Sequence, residues 1–237
     1  MDTKALQLAA RFALPPNSLG YCGKGSAPEK FKGCVTNGKC AGVGEEIDKF
    51  IVLGPYLKTL EKITGLSRFS HSVVEAYWLG NNELKKAKVD DYEILLKAFA
   101  KQGVPLWFVK DLESKVPQRF IPFHLFQILH VGVGRASGAV PFNLDSINNC
   151  MIRWGRVEKI SKDKLTVNLN SLKKIGKKYN LTIKKGRYSY RPDFLKGLKR
   201  GDIVAVHWKQ VVKKLTNNEV NNLSFWTQEV INSILCG

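Results

Sequence analysis

A chain of 237 residues with 44% apolar content has material for one sizeable core or two small ones, and two units are expected. No stretch approaches the roughly 18 to 20 uninterrupted apolar residues of a membrane span, and no long apolar run follows the first residues, so the expectation is a cytoplasmic protein with no membrane partner. The net charge of +18 is uneven: residues 150–237 hold 19 Lys and Arg against 6 Asp and Glu, leaving +5 for residues 1–149. Such a field draws acidic partners of any kind, and a lysine- and asparagine-rich composition can also produce it without a partner.

In chain order, Ala5, Leu8, Ala9 and Phe12 share one face at helical spacing. Pro15-Pro16 is expected to end that helix, because proline has no amide donor and restricts its predecessor. Residues 17–44 read as a glycine-rich loop holding Cys22, Cys34 and Cys40. Their intervals differ from the paired Cys-x2-Cys of structural zinc. With Cys150 and Cys236 they make an odd total, which favours free thiols or a metal site over a disulfide framework. Ile47, Phe50, Ile51, Leu57 and Leu60 give an amphipathic helix bent at Gly54-Pro55. Ser72 with Glu75 reads as a capping box opening a helix over 73–79, and another helix is predicted over 92–100 after Asp90-Asp91. Short helices over 106–112 and 123–129 precede a loop over 132–138. His124 and His130, six positions apart, do not share a helical face and read as core or surface residues, and His71 reads as surface.

After Cys150 the texture changes to β-formers separated by charged turns, with strands predicted over 152–160, 165–169, 181–183 and 203–208. Thr216 and Glu219 then offer a capping box for a terminal helix with Val220, Leu223, Thr227, Val230 and Ile234 in one stripe. The expected fold is α+β, a helical domain over 1–149 followed by a small OB-like β-barrel with a C-terminal helix over 150–237.

Two segments of that module carry chemistry. Cys150 stands at the mouth of the first strand, and His207 stands near the end of Gly201-Asp202-Ile203-Val204-Ala205-Val206-His207. In a small barrel the thiol and the imidazole can meet, and Arg153 and Arg156 are expected to lower the thiol pKa. Thiolate plus imidazole suits iron or zinc better than magnesium or calcium. Cys22, between Gly20 and Gly23, is a subsidiary candidate, since flanking glycines let backbone amides approach a ligand. The glycine clusters lack the order that cradles phosphate or a dinucleotide, and no Ser-His-Asp order is visible, so turnover of a small-molecule substrate is not expected.

Through Cys150, Gly155, Val157 and the strand Gly201, Asp202, Val204, Val206 and His207, residues 150–237 resemble the HypC/HupF hydrogenase maturation chaperones, although Trp154 stands where that family has proline. The resemblance implies an accessory metallochaperone in which Cys150, helped by His207, holds iron bearing carbonyl and cyanide ligands. Its implied partners are a maturation scaffold and a metalloenzyme precursor. The whole chain also resembles an uncharacterised prokaryotic family through 11–23, 74–81 and 152–157, which implies that both halves form one functional unit.

A competing reading rests on Lys173, Lys174, Lys177, Lys178, Lys184, Lys185, Arg187 and Arg191 interleaved with Tyr179, Tyr188 and Tyr190. Lysines neutralise phosphates while tyrosines stack on unpaired bases, as in barrels that hold RNA or single strands. A third reading is a non-catalytic interaction module.

Overall fold

The structure is a computed structural model that describes residues 2–23 and 27–234, so Cys236 and Gly25 lie outside the described residues. It is a mixed α+β chain with ten α-helices and five strands among those residues.

Helix α1 (Thr3–Ser18) starts where Asp2 accepts hydrogen bonds from the Lys4 and Ala5 amides. It does not stop before the prolines: Pro15 and Pro16 form its last turn. Proline's φ is already helical, and here the loss is confined to two amide donors near the helix end, leaving the carbonyls of Arg11 and Phe12 without their usual partners four residues on.

Helix α2 (Ala27–Asn37) occupies ground expected to be a loop and buries Phe31, Cys34 and Val35. The chain turns back after it so that Cys34 and Cys40 meet, with Cα atoms 4.3 Å apart, in a disulfide. This corrects the expectation of free thiols for that pair; Cys22 and Cys150 are free.

Helices α3 (Val43–Asp48) and α4 (Leu53–Thr64) are separated at 49–52, ahead of the expected bend. Pro55 lies in the first turn of α4, where its missing amide costs no helical bond. Helix α5 (His71–Trp78) is capped by Ser70, two residues before the expected cap, and carries Tyr77 and Trp78 into the core. Helices α6 (Tyr92–Gln102) and α7 (Leu106–Glu113) follow as expected, and α8 (His124–Phe126) continues as a π-helix over Gln127–Gly132. Helix α9 (Leu144–Cys150), capped by Asn143, delivers the chain to the sheet.

The strands β1 (Arg153–Ile160), β2 (Lys164–Ile175), β3 (Lys178–Ser189), β4 (Ile203–His207) and β5 (Gln210–Lys214) pair in the order β1-β2-β3-β5-β4, and β4 pairs back onto β1. All pairs are antiparallel except the single parallel contact of Ser189 with Gln210. Gly155 permits the closest approach in this sheet: a Cβ there would sit 1.7 Å from the Asn168 carbonyl oxygen. Helix α10 (Asn217–Ser233) opens with the expected Thr216–Glu219 capping box.

The buried apolar residues form one cluster from α1 through the strands to α10. Helix α1 packs on β4 and β5, and α10 packs on α8 and β3. Trp226 of α10 lies over Gly80, whose φ of +80° and contact with the indole both exclude a side chain. No helix among the described residues is long and apolar enough to cross a membrane.

Candidate metal centre

Three chain segments end at one point. Cys150 is the last residue of α9, His207 the last of β4 and His124 the first of α8. One ligand atom from each lies within 4.8 Å of the others, and all three residues are buried. The meeting of Cys150 and His207 was expected from the strand motif. His124 was not expected to join them: it lies 26 residues before Cys150, and no local spacing announces it.

His207 donates its Nδ1 hydrogen to the carbonyl oxygen of Phe12 at 2.6 Å. That oxygen is free because the residue four positions on is Pro16, which has no amide hydrogen. Since a carbonyl only accepts, the proton is on Nδ1 and the lone pair is on Nε2. Nε2 is buried without a partner, a costly state in a packed core. Burial first, then the neighbouring His124, holds the ring well below the usual histidine range, so it is neutral.

His124 Nδ1 lies 2.9 Å from the Tyr77 hydroxyl, which in turn bonds Oε1 of Gln127. Oε1 of Gln127 only accepts, so Tyr77 donates to it, the hydroxyl accepts Nδ1–H, and Nε2 presents a lone pair 3.9 Å from Cys150 Sγ. In the other tautomer, Nε2–H donates to the Cys150 carbonyl at 3.0 Å. A cation held between the three residues would select the first. Burial lowers the His124 pKa to about 4.

The Cys150 thiol is pushed well above its ordinary range by burial, with Cys22 adding to the effect and the Trp208 indole opposing it. The expected activation by arginines does not occur. Arg153 is buried against the Tyr188 ring at 5.2 Å, and Arg156 is exposed and bonds the Gly201 carbonyl at 3.0 Å. Cys150 is therefore a neutral thiol unless a cation replaces its proton.

The β4–β5 turn holds the site together. Trp208 and Lys209 both have positive φ, 47° and 62°, the twist of a tight hairpin usually built from Asn and Gly. The Trp208 amide donates to Asn149 O at 2.7 Å, tying the end of β4 to the end of α9. Its ring packs on Tyr21 at 4.6 Å.

A cavity of about 640 Å³ reaches all three residues. Tyr21, Cys22, Phe50, Trp78, Val133 and Trp208 are among the residues of its wall. Cys22 is thus brought to the same cavity, outside the group of three; its carbonyl accepts from Asn17 at 2.6 Å, and burial raises its thiol to about 11.

A family model described as "Family of unknown function (DUF6390)" matches residues 1–235. The chain belongs to DUF6390. No curated protein and no solved structure matches it. The DUF6390 match runs across helices and strands alike and includes His124, Cys150 and His207.

The basic residues of this DUF6390 chain lie elsewhere. Lys173, Lys174, Lys177, Lys178, Lys184, Lys185 and Arg187 are exposed along the β2–β3 ribbon, with Lys185 paired to Glu158. Tyr179 and Tyr190 are half-buried. Tyr188 is buried against Arg153 and offers no face to a base, and Arg191 is paired with Asp193 over the Phe194 ring. Those two residues leave the set expected to contact nucleic acid.

Proposed function

We propose that this DUF6390 protein holds one iron or zinc ion through Cys150, His207 and His124. The observation that carries the reading is a buried group in which Cys150, His124 and His207 each bring a ligand atom within 4.8 Å of the others, while Nε2 of His207 has no hydrogen-bond partner. One sulfur and two imidazole nitrogens suit soft or borderline transition metals. The Phe12 carbonyl behind His207 and the Tyr77–Gln127 pair behind His124 are the kind of outer contacts that orient metal-bound histidines. When bound, the metal supplies a Lewis-acidic position. The protein's own part is to aim two imidazoles and to give up the Cys150 proton.

Within this reading the narrower role is accessory: handling an iron centre, carbonyl- and cyanide-ligated in the HypC/HupF manner, for a metalloenzyme precursor. Its support is the Cys150–His207 pair and the ring of strands, which we take to be an OB-like barrel. The Cys34–Cys40 disulfide weighs against a reducing compartment.

Anaerobic purification, loading with Fe(II) or Zn(II) and measurement of metal per chain tests the proposal. One equivalent is expected, lost in Cys150→Ser and in His207→Gln. Infrared bands of carbonyl or cyanide in the iron form would support the accessory role. A folded, unmodified chain that retains no metal after loading overturns the reading.

The second reading, binding of single-stranded nucleic acid, is favoured by the seven exposed cations on the β2–β3 ribbon, which also exposes Ile175 and Ile183. It requires an affinity that falls steeply with salt and is indifferent to Cys150→Ser.

A further inference from the structure

We infer that the coordination position left open by Cys150, His124 and His207 takes a small carboxylate with an apolar body, seated in the adjoining cavity. This rests on the metal reading above and names the ligand class of the same site.

Three protein ligands leave a four-coordinate ion one position short, the arrangement of sites that bind an exogenous molecule rather than only brace a fold. The position has somewhere to lead. A cavity of about 640 Å³ has the size of a small-molecule pocket, and His124, Cys150 and His207 form part of its wall.

The rest of the wall sets the chemistry. Tyr21, Phe50, Trp78 and Trp208 give it aromatic surface, and Val133 and Val140 add aliphatic surface. No Asp or Glu lines it among the described residues, and the one formal charge is Lys49, a largely exposed residue paired with Glu46. A divalent ion with one thiolate carries a net positive charge. Arg153 adds to that field: it is buried, it acts on His207, and its hydrogen-bond partner is the Tyr188 hydroxyl rather than a carboxylate. Such a site rejects cations and favours an anion.

The hydrogen-bond inventory points the same way. Trp78, a wall residue, has a buried indole N–H with no acceptor, whereas the Trp208 indole already acts on the Cys150 thiol. The wall therefore has a spare donor, and its orphaned acceptor is the Nε2 already assigned to the metal. A carboxylate supplies one oxygen for the metal and another for a donor, while an apolar remainder covers the aromatic wall.

The test uses the full-length protein loaded with Co(II), whose visible absorption reports the coordination sphere. Phenylacetate, acetate and phenethylammonium are each titrated against that spectrum. Phenylacetate is expected to shift it saturably and at least tenfold more tightly than acetate, and phenethylammonium is expected to leave it unchanged. In Ala136→Trp, which adds bulk at a wall residue outside the group of three, the cobalt spectrum is expected to persist while the phenylacetate affinity drops at least tenfold. Equal affinities for acetate and phenylacetate, a response to the ammonium probe, or an unresponsive spectrum with the cobalt bands in place would overturn the inference. Absence of the cobalt bands would instead remove the metal site itself, and the inference with it.

Discussion

A buried histidine has two ring nitrogens to satisfy, and His207 satisfies one. The cause lies in another element: Pro16 withholds the amide that would occupy the Phe12 carbonyl, and the carbonyl takes the imidazole instead. Pro16→Ala restores that amide as a competitor. Metal affinity is expected to fall 10- to 100-fold, as for loss of other outer contacts, with thermal stability unchanged or higher. Competition with a chromophoric chelator measures it, and unchanged affinity would separate the proline from the site. The neutral histidines also give the metal-free protein a pH signature. His124 and His130 have folded pKa values lowered to about 4 by burial, against 6.5 when free. The unfolded chain takes up these protons first, so stability is complete above pH 6.5 and is lost as pH falls towards 4. Urea midpoints at pH 7, 5.5 and 4.5 should decline in that order, and a flat series would contradict the assignment. At this scale Cys150 and His207 were legible because one strand motif and one change of texture flank them. His124 was not, because its partners Tyr77 and Gln127 and its target Cys150 converge only in three dimensions.

The elements differ in how openly their signals are written. Helix α10 announces itself through the Thr216–Glu219 box and its apolar stripe, and the structure follows both. Strand β5 was missed because its two valines stand among lysines, and its turn, Trp208-Lys209, has none of the usual turn residues. Helix α2 reads as loop in the sequence because glycines and cysteines surround it, whereas its packing rests on Phe31, Cys34 and Val35. The β4–β5 turn places a non-glycine pair where left-handed backbone costs about 1–2 kcal/mol per residue. Lys209→Gly is accordingly expected to stabilise the protein by about 1 kcal/mol in urea denaturation. Destabilisation would mean that the Lys209 side chain contributes more than its backbone costs.

Across the whole molecule, the sequence divides by texture while the core does not: one buried cluster spans helices and strands. The candidate site is assembled from both sides of that division, with His124 from the helical region, Cys150 at the junction and His207 from the sheet. The terminal helix strengthens the same link by laying Trp226 on Gly80. Trp226→Ala should cost about 3–5 kcal/mol, the loss typical of a large buried aromatic. It should also lower the denaturation midpoint of helices and strands together, by far- and near-ultraviolet circular dichroism. Separate transitions would show two independent units. The change of texture at residue 150 was legible because charge and β-formers both shift there. The continuity of the core was not, because contacts such as Phe12 with His207 join residues 195 apart in the chain.

The central claim is a single ion held by one sulfur and two imidazole nitrogens. X-ray absorption at the metal K-edge of the zinc-loaded protein tests it most directly. One sulfur at about 2.3 Å and two imidazole nitrogens at about 2.0–2.1 Å are expected, with the sulfur lost in Cys150→Ser. A first shell of oxygen and nitrogen alone in the unmodified protein would contradict it.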